Sequence, residues 1–480
     1  MRWTAAFAVV GLVDELWSGV AVVAAPEVEK FHEVDHAHYT LWVFAVPILL
    51  SSLIEAPIAL VSDRLPRKML LASGLGALAV SLVLASLATS PLLLAAALSL
   101  AGAASGVACD SAQAELVTRH PGGPALAMTR WIAFAAAGDA LTPLAIAAVY
   151  WIGGTHRSVL ALCGVLLGVH AYVVYRTQKR AAQPSAASKP QAIVEKSVDR
   201  APEAEAVVNR AGAQPKAATP EAERPGHHVP QLDPQPQAAK LSGAQPPTAG
   251  LLGAQPPAAE LCAGQPPAAE LPVDEESASM PLRAALAESV RKPRLWLFLF
   301  GSASCALLDE VVVALAALRL HQDLGWTESH AALVMSGLSA GGVIGALISE
   351  RLLASISSRR LLAYAATGSL LLLAVIVMAS SAWLIISALF LLGMTCSLHW
   401  PLVKAAAYEL VPGQPGVVNA LQQAFVGMDI GLPLLIGVIA SQYGLATALA
   451  SLAAEPVILL IVALYWHPAP PAPSAQNKGC

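Results

Sequence analysis

Apolar residues run along this chain in stretches of about twenty, separated by short polar loops and gathered into two sets of six. A hydrocarbon core about 30 Å thick, crossed at about 1.5 Å per helical residue, needs about twenty residues, so each stretch predicts a membrane-spanning helix. They fall near 5–25, 41–61, 69–88, 93–117, 126–150 and 157–175, then near 295–318, 331–349, 361–379, 383–406, 418–440 and 445–466. Between the sets the pattern changes in kind. Residues 181–280 are rich in Ala, Pro, Gln and Glu, and a ten-residue unit recurs there as LSGAQPPTAG, LLGAQPPAAE and LCAGQPPAAE from Leu241, Leu251 and Leu261. Such a segment cannot bury enough apolar surface to offset its ordering entropy, so it reads as a disordered, partly polyproline-like linker. The run SMPLRAALAESV from Ser279 to Val290 predicts a short capped amphipathic helix lying at the membrane surface. The division is therefore a first half, 1–180, a linker, 181–280, a second half, 281–466, and a tail, 467–480.

Composition agrees with the pattern. Of 480 residues 56% are hydrophobic and 12% charged, with a mean hydropathy of +0.61, whereas soluble domains carry about 25% charge. A net charge of −4 gives no reason to expect a nucleic-acid partner. The six cysteines, Cys109, Cys163, Cys262, Cys305, Cys396 and Cys480, show no metal-ligand spacing and read as small core residues. No nucleotide loop, nucleophile motif or paired metal ligands stand in the apolar spans, so neither a cofactor, a metal, an enzyme nor an ATP-driven pump is expected.

Lys and Arg set the orientation. Arg64, Arg67 and Lys68 follow the second span and Arg176, Lys179 and Arg180 the sixth; Arg291, Lys292 and Arg294 precede the seventh, and Arg351, Arg359 and Arg360 follow the eighth. The alternate loops hold only Lys30, Arg157 and Arg319. Both termini and the linker are thus expected in the cytoplasm, as for a multi-pass protein of a plasma membrane such as the bacterial inner membrane.

The two sets look like copies. Ala59-Leu60-Val61-Ser62-Asp63-Arg64-Leu65 recurs as Ala346-Leu347-Ile348-Ser349-Glu350-Arg351-Leu352, and Glu115-Leu116-Val117 as Glu409-Leu410-Val411. Asp139 with Pro143 recurs as Asp429 with Pro433, and the pair Asp14-Glu15 in the first span as Asp309-Glu310 in the seventh. Each half has an even number of spans, so the repeats are parallel in topology. The fold class expected is an all-α membrane protein of twelve helices in two six-helix halves. A carboxylate at the centre of a membrane helix costs about 2.5–3.5 kcal/mol on insertion scales, so adjacent acids found twice are expected to face a polar cavity between helices.

At the loop after the second span, Ala59-Leu60-Val61-Ser62-Asp63-Arg64-Leu65-Pro66-Arg67-Lys68 resembles the Gly-x-Leu-Ala-Asp-Arg-x-Gly-Arg-Lys motif of the major facilitator superfamily. Asp63, Arg64, Arg67 and Lys68 stand where that family has them, while Ala59 and Pro66 replace its two glycines. The embedded Arg of many drug–proton antiporters is missing from the fourth span, which offers Asp110, Gln113 and Glu115 instead. The resemblance implies a carrier and assigns no subfamily. It also implies a cytoplasmic latch at this loop, Asp63 meeting a helix N-terminus in one conformation, and it implies a cavity lined by the first, fourth, seventh and tenth spans. Mapped onto this chain, those spans contribute Asp14, Glu15, Asp110, Asp309, Glu310, His399 and Lys404.

Neighbouring helical residues diverge by about 100°, so one acid of each pair faces the cavity and the other a helix, and the sequence does not say which. These carboxylates are expected to couple transport to protons, to form structural ion pairs, or to bind a cationic solute; Lys404 stands at the position equivalent to Asp110 and is a candidate partner for it. Asp139, Pro143, Asp429 and Pro433 mark hinge or interface positions, each acid one turn before a proline that frees a backbone carbonyl. Glu115, Arg130, Glu350, Arg351 and Glu409 join the motif residues as candidates for the cytoplasmic gate. Glu55, Glu455 and His170 also lie within the spans. The first external loop, PEVEKFHEVDHAHYT, holds His32, His36 and His38 among Glu27, Glu29, Glu33 and Asp35, and reads as a solvated acidic loop that draws cations rather than a metal site. The expected function is secondary transport of a small neutral or cationic solute by a monomer in the lipid bilayer. The alternative is a transporter-like sensor or scaffold signalling through the linker.

Overall fold

The computed structural model describes residues 2–34, 36–182, 281–322, 325–326 and 328–466. The linker assigned to 181–280 lies almost wholly outside them, as does the tail; Ala181 and Ala182 still belong to the sixth helix. Among the described residues every regular element is helical. Among the described residues ten helices are long and apolar enough to cross a membrane: Thr40–Ser62, Arg67–Leu87, Pro91–Arg119, Gly123–Trp151, His156–Arg176, Pro293–Gln322, Ser358–Met378, Ala382–Leu410, Pro415–Tyr443 and Leu445–Tyr465. The helices Arg2–Val23 and Glu328–Leu352 stand at the expected first and eighth places and complete two sets of six.

The outward surface is what a bilayer requires. On the sixth span Leu162, Val165, Leu166, Val169, Tyr172 and Val173 recur at helical spacing, and each is about half exposed. A stripe of that kind is a liability in water and suits acyl chains. Inside, small residues let backbones approach. The first and fifth spans touch so closely that a Cβ on Gly138 would overlap the Leu12 carbonyl oxygen.

The halves differ in one respect that their sequence similarity does not suggest. Four spans of the second half are interrupted. The seventh runs as Pro293–Ser304, a π-helical turn Leu307–Val311 and Val312–Gln322. The tenth divides after Cys396, the eleventh passes through a tight turn at Gln423–Phe425, and the twelfth divides after Ser451. Among the described residues of the first half the only irregular span turn is the π-helical entry to the second, Thr40–Ala45. Helices continue through both Pro143 and Pro433.

Two expectations need correction. The first external loop is not an open acidic loop: Ala25–His32 and His36–Tyr39 are helices, and Glu27 accepts hydrogen bonds from the Tyr150 hydroxyl and from the His156 backbone N–H at 3.0 Å. Pro at the first turn and an apolar contact surface on Val28 and Tyr39 fold it down. The surface helix before the seventh span exists as Leu282–Val290, but Pro281 precedes it and no side chain caps it.

Candidate functional site

The bridges between the halves start at the end that carries the basic loops. Asp63 closes the second span, and its Oδ1 accepts the Gly416 N–H at 3.0 Å across the gap. The helix Pro415–Gln422 begins with Pro415, which has no N–H, and its own cap residue, Gln414, supplies no side-chain bond. Its free donors are therefore Gly416 and Val417, and the Asp63 carboxylate serves both. Burial pushes the Asp63 carboxyl above the usual carboxylate range, against these N–H groups and Arg67, which favour the charged form. No side chain could stand at 416: a Cβ there would overlap the Ala59 carbonyl and the Ser62 hydroxyl.

A second bridge joins Arg130 of the fifth span to Glu350 at the end of the eighth, Nε to Oε1 at 2.9 Å and Nη2 to Oε2 at 3.4 Å. Arg130 does not meet Glu115. That carboxylate stays in its own half, 2.6 Å from Arg119 Nε and 3.9 Å from Arg67 Nη1. Arg67 also donates to Thr118 Oγ1 at 2.7 Å and lies 3.9 Å from Asp63. His120 Nε2 is 2.9 Å from Arg130 Nη1; burial, then the guanidinium, lower its affinity for a proton. Arg64, Arg351 and Glu409 are exposed at this end, and Lys68 is half-buried there.

Deeper in, a polar seam joins the second and fourth spans to the tenth and eleventh. Gln423 Nε2 donates to Glu55 Oε1 at 2.7 Å. The Tyr408 hydroxyl is 2.8 Å from Asn419 Oδ1 and 3.2 Å from Gln113 Oε1. Lys404 is buried, its Nζ 5.6 Å from the Tyr408 ring centroid and 6.0 Å from that of Trp400, and the carboxylates acting on it are Asp110 and Glu55. Asp110 Oδ2 and Asn419 Nδ2 face this seam without a hydrogen-bond partner among the described residues. Asp14 adjoins it from the first span, where its Oδ1 accepts from Trp17 Nε1 at 2.9 Å and from the Ser105 hydroxyl.

The sequence-derived cavity set therefore divides. Asp14, Asp110 and Lys404 share one neighbourhood. Glu15 turns to the fifth span instead, its Cβ against Gly138. His399 belongs to a separate buried group in the second half: its Nδ1 is 2.8 Å from Glu455 Oε1, and Ser369 lies 3.3 Å from its Nε2. The other Glu455 oxygen takes the Leu308 N–H at 2.7 Å, in the interruption of the seventh span. Asp309 is exposed within that interruption, and the side chain of Glu310 lies outside the described residues. Asp139 and Asp429 are exposed along the fifth and eleventh spans, with Pro143 and Pro433 one turn beyond. Glu55, Asn419, Gln423 and Glu455 were not in the mapped set, which came from four spans only. The signal for them was present: a carboxylate or amide inside an apolar span needs a partner on whatever helix it sits.

Residues 298–479 match the sequence profile of the Major Facilitator Superfamily. No curated protein matches the chain significantly. Among solved structures, the E. coli fucose:proton symporter FucP resembles it at 12% identity and a TM-score of 0.62, over 97% of this chain and 99% of that one. The same symporter in its outward conformation resembles it at 11% identity and a TM-score of 0.63, over 96% and 98%. A bacterial homologue of the iron transporter ferroportin in an outward-facing state does so at 13% identity and a TM-score of 0.61, over 97% and 100%. The second half thus carries the profile match, and the fold is shared with these transporters over nearly the whole length of the chain.

Proposed function

We propose that this protein is a secondary active transporter that carries a small solute across a plasma membrane by alternating access, coupled to protons through its intramembrane carboxylates. The observation that carries the reading is the seam: Glu55 and Asp110 in one half, Lys404 in the other, at the junction that must open and close. Three carboxylates, with Asp14, against one ammonium favour a neutral or cationic solute over an anion. The latch through Asp63 and Arg130 then represents the state shut at the basic end. Supporting this, the first span packs on the fourth, fifth and sixth spans, and the outer part of the seventh on the eighth and twelfth, each within its own half. By the positive-inside tendency the basic end is cytoplasmic, in a bacterial inner membrane, and the carrier works as a monomer.

Proton flux in liposomes holding purified protein tests the reading, with amines, sugars, divalent metals and drugs added in turn. Solute-triggered proton movement that disappears in Asp110→Asn supports a proton-coupled carrier and names the solute class. Solute movement without protons would remove the coupling; no movement of any solute would remove the carrier.

A further inference from the structure

The duplication places two copies of one latch at the basic end, and different chemistry closes them. Glu115-Leu116-Val117 and Pro121-Gly122 of the first half match Glu409-Leu410-Val411 and Pro415-Gly416 of the second. Gly122 is thus the counterpart of Gly416, and Glu350 that of Asp63. Asp63 reaches across the gap to the Gly416 N–H. At the other copy the Gly122 N–H goes to His120 of the same half, 3.1 Å from Nδ1, and Glu350 is bound by Arg130. The first-half copy is therefore held across the gap through Arg130. His120 Nε2 stands 2.9 Å from Nη1 of that guanidinium.

Both neighbours of the His120 ring, a backbone N–H and a guanidinium, are donors with no lone pair to offer. A neutral imidazole has one N–H and one lone pair, so it satisfies one of them. An imidazolium has two N–H groups, satisfies neither, and sets a second positive charge against Arg130. The ring is buried where the fourth span ends and the fifth begins. Arg130 on the fifth span and Glu350 on the eighth are the charges that face it. Burial is the largest cause of its lowered affinity for a proton and Arg130 the next, while Glu350 acts the other way. Arg119, beside it in sequence, is turned to Glu115, and Arg67 to Thr118, Asp63 and Glu115.

We propose that His120 is a proton-operated release for the Arg130–Glu350 bridge. Neutral, it lets Arg130 hold the eighth span; protonated, it drives the guanidinium off Glu350 and the basic end parts. The closed end binds this proton less readily than the parted one, where water reaches the ring. The contribution of His120 to closure is therefore full above the ordinary imidazole value, about 6.5, and is lost as pH falls through the lowered one. Acid acts through His120 to open the end and through Asp63 to close it, so the two copies of the latch answer a proton with opposite sign. The switch rests on the alternating-access reading for the opening it controls, but it needs no solute.

The test is the distance between nitroxide labels at the basic end, on Leu65→Cys and Ser355→Cys in full-length protein with its native cysteines replaced, reconstituted in lipid. Acid is added from about pH 8 to about pH 5, the range an imidazole spans. In His120→Asn the amide oxygen still accepts the Gly122 N–H but takes no proton. Relative to that variant, protein retaining His120 should gain open fraction about three- to tenfold as pH falls, the change that a shift of about half to one pH unit commands. Arg130→Lys, still a donor and a cation, should keep this gain. Arg130→Gln offers the imidazolium an amide oxygen, so its end should part more readily at every pH and lose the acid response. An acid response equal with and without His120, or one that survives Arg130→Gln undiminished, overturns the switch. If His120→Asn does not fold, the contrast between Arg130→Lys and Arg130→Gln decides alone. Transport is read separately: solute transport with an opening indifferent to His120 sinks the switch only, and His120-dependent opening without transport of any solute sinks only the carrier reading.

Discussion

Gly416 carries more of the closed state than any of the charges around it. An ion pair as exposed as Arg130–Glu350 contributes about 0.2–1 kcal/mol, and a carboxylate at a helix N-terminus about 0.3–1 kcal/mol. Forcing a methyl group against the Ala59 carbonyl costs about 1–3 kcal/mol, and about 1.4 kcal/mol is tenfold in a population. Gly416→Ala should therefore raise the open population of the basic end about tenfold, where Arg130→Ala changes it a few-fold. Peptide-resolved labelling of the buried native Cys109 by an impermeant maleimide added on the basic side reads this. Equal rates in the two variants would show that sterics do not set the gap. Asp63 adds a pH dependence. Burial makes its carboxyl bind a proton more readily in the closed state than in the open one, so acid favours closure through this group. This component should lower wild-type labelling as pH falls and be lost as pH rises, and Asp63→Asn should shed it.

At the scale of elements, the interrupted seventh span depends on the twelfth. Glu455 serves both the Leu308 N–H and His399, so Glu455→Ala abandons two buried partners at about 1–3 kcal/mol each. Glu455→Gln keeps an acceptor for Leu308 and should lose far less. Thermal unfolding in detergent ranks them, and equal melting points would show that the interruption holds itself. The folded outer loop gives the opposite sign of pH response to Asp63. Burial raises the Glu27 carboxyl, but bonds from Tyr150 and His156 outweigh it, so the net shift is downward. A depressed carboxyl contributes stability that is full above its unfolded pKa and is lost as pH falls through the folded one. Protease resistance of this loop should therefore drop in acid below the ordinary carboxylate range, and Glu27→Gln should be sensitive at neutral pH already. The helices themselves were legible because twenty apolar residues have one solution in lipid. The interruptions were not, since Cys305, Ser397 and Leu452 are ordinary residues at these places and the causes lie on other spans.

For the whole molecule, the duplication, the membrane class and the intramembrane acids could be read from residue types alone. Which acid meets which helix could not: periodicity separates Asp14 from Glu15 by an angle and does not say where the fourth and fifth spans stand. Glu55 and Gln423 came together only through the docking of the second span on the eleventh. The closed end is held by several small polar bridges on different span pairs, and such terms add when their groups are far apart. Asp63→Asn/Arg130→Ala should open the basic end by the product of the single effects, read as the label-distance distribution. A double-variant response well above that product would point instead to one cooperative latch.

Duplication began with two equivalent halves, yet Asp110 and Lys404 now occupy matching positions with opposite charge. A chain stitched from two first halves would press carboxylate against carboxylate at the seam, with no ammonium to separate them. Two second halves would face lysine with lysine and bring no acid at the position of Asp110. The ancestral symmetry has become a complementarity, and gene conversion between the repeats would be purged. Each half now recognises the other as a distinct partner would, so the halves expressed as separate polypeptides should pair only crosswise.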